Sequence, residues 1–346
     1  MKLILFYLRK LFAVIKNEVL VLPSRVAVVL FFLFILLLPL LTDDIYILRI
    51  FTMACIFAIF AASWDLLSGF TGQINFGHAL FFGVGAYGAA LFNLHFNVPP
   101  WASIPLGALV AVGAGLIVGI PALRLKGTYL TLTTLAFPII LLGVVISVPG
   151  FTGGELGLSG VTRLAETRVQ EYYVIAVVML GLCTIMWKIT DSNVGIIFHA
   201  IREDQIAVRA SGVNTTLYKL LAFSLSGFFG GISGGLYAHF MNLADPSTLS
   251  VNMSFLVVIW SIFGGAATIY GPVGAVFLLV PFVEFTHVLK DYRLIVFAVL
   301  VLLVLLFMPD GLFRWLREKI EEECPRCKVR NVAWRKTCRV CTAPMH

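Results

Sequence analysis

Residues 63–88 read SWDLLSGFTGQINFGHALFFGVGAYG, and the fold turns on how this stretch is read. It lies between apolar blocks, yet Thr71, Gln73, Asn75 and His78 stand among glycines at 69, 72 and 77. Each glycine weakens a helix by about 1 kcal/mol relative to alanine, so three so close together predict a break. Irregular backbone in apolar surroundings survives only where protein groups or a water-filled cavity satisfy its N–H and C=O groups. The four polar side chains supply donors and acceptors for that purpose. Downstream, Ala79, Gly83, Gly85 and Ala89 have the small-residue spacing that lets helices approach closely. Thr71, Gly72, Gln73, Asn75, Gly77 and His78 are therefore candidates to line a translocation path; the plainer reading is a tightly packed helix junction.

Working outward, the 346 residues are 60% hydrophobic and 12% charged, with mean hydropathy +0.98. That is about half the charge of a soluble domain, which averages roughly 25%. Apolar runs such as residues 26–41 (VAVVLFFLFILLLPLL) and 294–308 (LIVFAVLVLLVLLFM) recur along the chain. In lipid the backbone must pair internally, which selects helices here because the alternation of a membrane β-barrel is absent. The expected fold is an all-α polytopic membrane protein with about ten crossings or broken helices.

The net charge of +7 sits at the ends: residues 1–25 carry +4 and residues 314–346 carry +5, leaving −2 between them. Basic flanks stay on the cytoplasmic side, so both termini are expected inside, after an even number of crossings. Lys2, Arg9 and Lys16 recur every seven residues. They predict an interfacial amphipathic helix over residues 1–25, lying on membrane lipid. Residues 26–313 form the expected transmembrane domain and residues 314–346 a basic tail.

Within the threading, residues 42–44 and 150–172 fall outside, whereas 188–219 is the longest inside loop. GQINFGHALFFGVGA (72–86) and GGAATIYGPVGAVFL (264–278) echo one another as glycine-interrupted segments. Paired broken segments in two halves point to a transport site in repeat-built transporters. Asp65, Glu284 and His287 are the ionisable residues nearest the spans, and each is expected to act structurally; no chain of acids and histidines suggests proton coupling. In the inside loop, Ile197, Ile201 and Val208 share one helical face, Arg202 and Arg209 a neighbouring one, and Gly212 is placed to end the helix. Such an element offers an apolar patch to a soluble partner. Glu203 and Asp204 beside the arginines argue against a bed of anionic lipid.

GFTGQINFGHALFFGVGAYGAA, LRLKGTYLTLTTLAF, FTGGELGLSGV, AIREDQIAVRASGVNTTLYKLLAFSLSGFFGGISGGLYA, IFGGAATIYGPVGA and MPDGLF follow one another between residues 45 and 313. In that order they resemble the LivM-type permease of bacterial and archaeal branched-chain amino-acid ABC importers. The resemblance implies a pore made with a sister permease of the LivH type, two cytoplasmic ABC ATPases and an extracytoplasmic amino-acid binding protein. It also implies that the stretch from Ile201 to Gly212 is the helix that docks on an ATPase, with Arg202, Glu203, Asp204, Val208 and Arg209 within it. Gly72, Gln73 and Gly77 match the family's T-G-Q-x-x-x-G signature. Asp65 is a departure from the family pattern, since relatives commonly carry Asn before the apolar pair that follows it. Urea or short amides are the alternative substrates of close relatives.

No G-x-x-x-x-G-K-[ST] motif occurs, so either ATP acts through partner subunits or transport is passive. The rival reading is a stand-alone channel or secondary carrier, and a further one, prompted by the tail, is a membrane-tethered RNA- or protein-binding adaptor. That tail holds Cys324, Cys327, Cys338 and Cys341 as C-x2-C-x10-C-x2-C. Four thiolates at this spacing suit tetrahedral Zn2+, and a cytoplasmic location disfavours disulfides. With Asn331 between the pairs, the knuckle over 324–341 resembles RanBP2-type zinc fingers, although Glu322 stands where those carry tryptophan. Its binding partner is not specified by the spacing. Cys55 and Cys183 fall in apolar spans and are expected to be buried small residues.

Overall fold

The computed structural model describes residues 22–345 apart from 43, 123, 124, 126 and 287–291. The amphipathic helix expected over residues 1–25 and the role of His287 lie largely or wholly outside the described residues. Among those described, seven stretches are long and apolar enough to cross a membrane and three further apolar helices are shorter. The expected all-α polytopic fold is what the chain adopts.

The chain opens with α1 (Pro23–Leu41) and α2 (Ile45–Trp64), the second capped by Asp44, whose carboxylate accepts from Tyr46 N–H. A π turn (Asp65–Gly69) and an irregular link follow. Next come α3 (Ala79–Phe96), α4 (Pro100–Ala122) and α5 (Thr128–Ser147). The short α6 (Pro149–Thr152) and β1 (Leu158–Ser159) lead to α7 (Arg168–Thr190). Two short helices, α8 (Asn193–Glu203) and α9 (Gln205–Ala210), precede the long α10 (Thr215–Met241). β2 (Leu243–Ala244) pairs antiparallel with β1. The last apolar helices are α11 (Val251–Gly264), α12 (Tyr270–Phe285) and α13 (Arg293–Phe307). Then come α14 (Leu312–Ile320) and the hairpin β3 (Glu321–Glu323) and β4 (Arg330–Val332).

Packing follows the small residues. Lipid tails are as apolar as leucine, so helices associate by van der Waals contact at close range. In the α3–α4–α10 trio a methyl on Gly85 would meet the carbonyl of Gly231, and one on Gly234 the carbonyl of Phe82. α2 runs through the middle, flanked by α7, α10, α11 and α12. Cys55 and Cys183 are buried in α2 and α7, as expected. α5 and α13, by contrast, bury little of their length. Leu132, Ile139, Ile140, Leu302 and Leu306 stand exposed on them, as lipid or a second subunit requires.

Ser24 N–H at the start of α1 donates to Glu321 Oε1 at 3.0 Å. The start of α1 and the β3 strand therefore meet at one end of the bundle. The division expected at 313/314 falls inside α14. That helix packs on the bundle, with Phe313 against Gly274 and Arg317 donating to the Tyr270 hydroxyl at 3.0 Å.

Candidate functional site

The link after α2 is a knot of polar groups at the end of the bundle that carries α8 and α14. Asp65, fully buried, accepts from Ala267 N–H at 2.7 Å and Thr268 N–H at 2.9 Å, one carboxylate oxygen to each. It therefore holds the glycine-rich turn between α11 and α12 from across the fold. It thus ties the end of α2 to the second of the two echoing segments. Glu284 accepts from the Tyr46 hydroxyl at 3.0 Å, tying α12 to α2 at the opposite end.

Thr71 donates to Leu67 O at 2.7 Å, and Gln73 Nε2 donates to Thr71 Oγ1 at 2.8 Å. Ser68 Oγ donates to Gln73 O, while Trp64 Nε1 donates to Asn75 O at 2.7 Å. Asn75 Oδ1 accepts from Gly77 N–H. The Ser63 hydroxyl donates to Phe60 O at 2.7 Å and so accepts from His78 Nε2–H at 2.9 Å. His78 Nδ1 is then left to accept from Asn75 Nδ2–H at 3.4 Å. Both ring nitrogens of a neutral imidazole are thereby satisfied. Phe76 N–H reaches Thr134 Oγ1 and Ala79 N–H reaches Ser254 Oγ, which joins α5 and α11 to the knot.

Thr71, Gln73, Asn75, Gly77 and His78 are all buried in this network, whereas Gly72 and Ile74 are exposed. One acceptor is left over: Gln73 Oε1 is buried and meets no donor among the described residues. Sequence reasoning missed Ser63, Trp64, Ser68 and Thr134, which wire the knot. Each is an ordinary residue of a helix in the sequence, and only the long-range approach reveals its part.

The segment 193–212 departs from the single helix expected. The chain is extended at Asp204 (φ −150°, ψ 102°), where α8 ends and α9 begins. Asp204 caps α9 by accepting from the N–H groups of Ile206 and Ala207. A capping carboxylate competes with helix continuation, so Ile201 and Val208 do not share one helical face. Ile201 is buried, and Arg202 donates to Gly69 O at 2.6 Å. The His199 ring lies edge-on to Phe70, and burial followed by the nearby Arg202 charge holds its pKa below the ordinary histidine value. Glu203 is exposed. Arg209 Nε donates to Thr215 Oγ1 at 2.8 Å, fastening α9 to the start of α10. Gly212 follows α9 at φ +83°, the left-handed conformation in which glycine ends a helix. Ile206 is 78% exposed and Leu217 62%, leaving an apolar surface on this element.

The tail brings Cys324, Cys327, Cys338 and Cys341 together, all four Sγ atoms within 4.8 Å of one another. A Zn2+ with four thiolates at about 2.3 Å would set sulfurs about 3.8 Å apart, so the cluster fits that ion. Its two halves repeat one design. Lys328 N–H donates to Cys324 O and Thr342 N–H to Cys338 O, while Cys324 N–H and Cys338 N–H donate to Val329 O and Ala343 O. Lys328 and Thr342 share a left-handed backbone, at φ 57° and 55°. Asn331, buried, joins the halves by accepting from Arg339 N–H and donating to Val329 O. Backbone N–H groups of Cys341 and Val340 hold the Cys338 thiol below its ordinary pKa, which favours the thiolate a metal needs.

The described residues form an apolar helical bundle with a buried polar junction, and the short α8–α9 element lies at the same end. Residues 46–306 match the family described as "Branched-chain amino acid transport system / permease component", and the chain belongs to that family. It is 27% identical over 306 residues to the high-affinity branched-chain amino acid transport system permease protein LivM of Salmonella typhimurium, covering 80% of this chain and 72% of that one. With the LivM of Escherichia coli it shares 27% over 311 residues, 82% and 72% of the two chains. With the guanosine ABC transporter permease protein NupQ of Bacillus subtilis it shares 24% over 238 residues, 63% and 73%. No solved structure matches.

Proposed function

We propose that this chain is a pore-forming subunit of an ATP-driven importer for branched-chain amino acids, working beside a LivH-type sister permease. Two cytoplasmic ABC ATPases drive it and an extracytoplasmic binding protein delivers the solute. The observation that carries this reading is the family match, which spans the bundle from α2 to α13 and ends before the metal tail. The basic residues flanking the chain favour the α8 end as the cytoplasmic one. There the exposed Ile206 and Leu217 offer an ATPase its apolar seat, rimmed by Glu203, Asp204 and Arg209. Affinity purification of the chain from its native membrane tests the reading: the sister permease and ATPases should appear in the eluate. Recovery of the chain by itself, from membranes in which those proteins are present, would contradict it.

The solute path runs beside residues 71–78. Gly72 and Ile74 are exposed, and the side-chain Oε1 of Gln73, buried and without a donor, is the acceptor that an ammonium or amide group would meet once the link opens. Guanosine among the substrates of relatives makes nucleosides the rival cargo. Competition of labelled leucine uptake by isoleucine and valine, but not by guanosine or urea, is the expected pattern.

Gly212 N–H donates to Arg209 O, and its positive φ is closed to proline. Gly212→Pro is expected to leave the chain inserted and folded while co-purifying ATPase falls by about tenfold, the effect of some 1.4 kcal/mol. ATPase recovery equal to that of the unsubstituted chain would remove α9 from the docking surface.

The tail holds one Zn2+ through Cys324, Cys327, Cys338 and Cys341, with Asn331 bracing the two halves. The ion supplies a covalent-strength tie between loops that have little apolar core of their own. Its proposed role is to fix the β3–β4 hairpin. The hairpin in turn seats Glu321 between Ser24 N–H and Arg317 Nε, at 3.0 and 3.4 Å.

A further inference from the structure

The inside element, the broken link and the α11–α12 turn are joined by a short series of contacts. Arg202 NH1 holds Gly69 O at 2.6 Å, the last residue of the π turn. The arginine stem lies over Gly72, where an added methyl would come within 3.2 Å of Arg202 Cγ. The His199 ring, 4.9 Å from that of Phe70, makes a second contact between the same partners. At the start of the π turn, Asp65 spends both carboxylate oxygens on Ala267 and Thr268 N–H. On the far side of that loop, Gly265 at φ +110° is backed by Asp310 O and Arg314 of the α14 region.

We propose that Arg202 and Asp65 form a strut, so that displacement of α8 and α9 carries the 65–78 link and the 265–269 turn with it as one body. The proposal rests on the permease reading and names the residues that would convey ATPase motion to the pore. A cation grips one end of a single helical turn and an anion grips the other. Neither contact is local in sequence, and each joins charge to backbone, where charge-assisted hydrogen bonds are strongest. In this chain each N–H meets its own carboxylate oxygen, whereas asparagine at 65 would offer one oxygen and turn an amide donor toward a backbone donor. Both residues are positioning residues in this account and touch no solute.

Hydrogen exchange of the purified full-length chain in lipid nanodiscs tests the strut without any transport. Arg202→Ala should speed exchange at Ala267 and Thr268 by about tenfold, the scale of one lost charged hydrogen bond, although Arg202 touches neither. Asp65→Asn should speed the same amides at least as much. Accelerated exchange in Asp65→Asn but not in Arg202→Ala would overturn the proposal, leaving two unconnected contacts. If Arg202→Ala fails to fold, Arg202→Lys keeps the charge, loses the guanidinium fork and is read the same way.

A double-mutant cycle on ATP-driven uptake, with partner subunits present, supplies the functional reading. One strut means that the double variant is no worse than the worse single. Losses that multiply would overturn it. Failure of the unsubstituted chain to take up solute with its partners would instead count against the permease reading, and the exchange result would still decide the strut.

Discussion

Gly85→Val is expected to prevent the bundle from forming. The new side chain would be driven into the carbonyl of Gly231, which is backbone and has no rotamer to escape to. Overpacking a core costs about 1–3 kcal/mol where side chains can yield, and rigid backbone places this site at or above the upper end. Relieving the clash means parting α3 from α10, the pair whose close approach the small residues permit. Without a hydrophobic force between helices in lipid, the separated pair keeps little attraction. Size-exclusion of the detergent-solubilised chain should show loss of the monodisperse peak. Gly143→Val is the control: nothing lies within 4 Å of its added carbon, and the peak should be unchanged. A monodisperse, heat-stable Gly85→Val chain would mean that α3 and α10 do not pack as described.

Cys338→Ser is expected to empty the tail of metal. Metal analysis of the unsubstituted chain should find about one zinc per polypeptide, because four thiolates complete a tetrahedral shell. Structural zinc contributes about 10–16 kcal/mol in small modules, far more than the few apolar contacts that Met345 and Ala343 provide here. Losing one ligand should therefore release the ion and unfold residues 324–345 while the bundle persists. Cys55→Ser should leave the zinc content unchanged, since Cys55 is buried within α2. A native preparation free of metal, with the tail still resistant to proteolysis, would refute the assignment.

Much of this was legible in residue patterns, because it depends on neighbours along the chain. The apolar runs at 26–41 and 45–68 became α1 and α2. Asp44, Thr167, Ser192 and Ser250 each accept at a helix start, as short polar side chains before apolar runs do. The C-x2-C pairs assembled as their spacing implies. The polar residues at 71–78 were recognisable as a break, but their partners were not. Ser63, Trp64 and Thr134 meet that link only through helix packing.

Asp65 is the clearest case. Its place at the end of a span suggested a boundary charge, whereas its partners lie some 200 positions away and it is fully buried. Periodicity misled at Asp204, because a face drawn through Ile201 and Val208 assumes helix throughout. An aspartate that can cap the next turn breaks that assumption. The final apolar run, 294–308, ends where the chain turns at Met308–Gly311, with Gly311 at φ +88° against Gly265.

The central claim is that this chain forms a passage powered by other chains. The direct measurement is uptake of labelled leucine into sealed proteoliposomes. Chain and sister permease without ATPases, or with ATPases lacking nucleotide, should give only background leak. Addition of ATP on the ATPase side, with the binding protein opposite, should give sustained accumulation against a gradient. Rapid uptake by the purified chain alone, without nucleotide, would contradict the account.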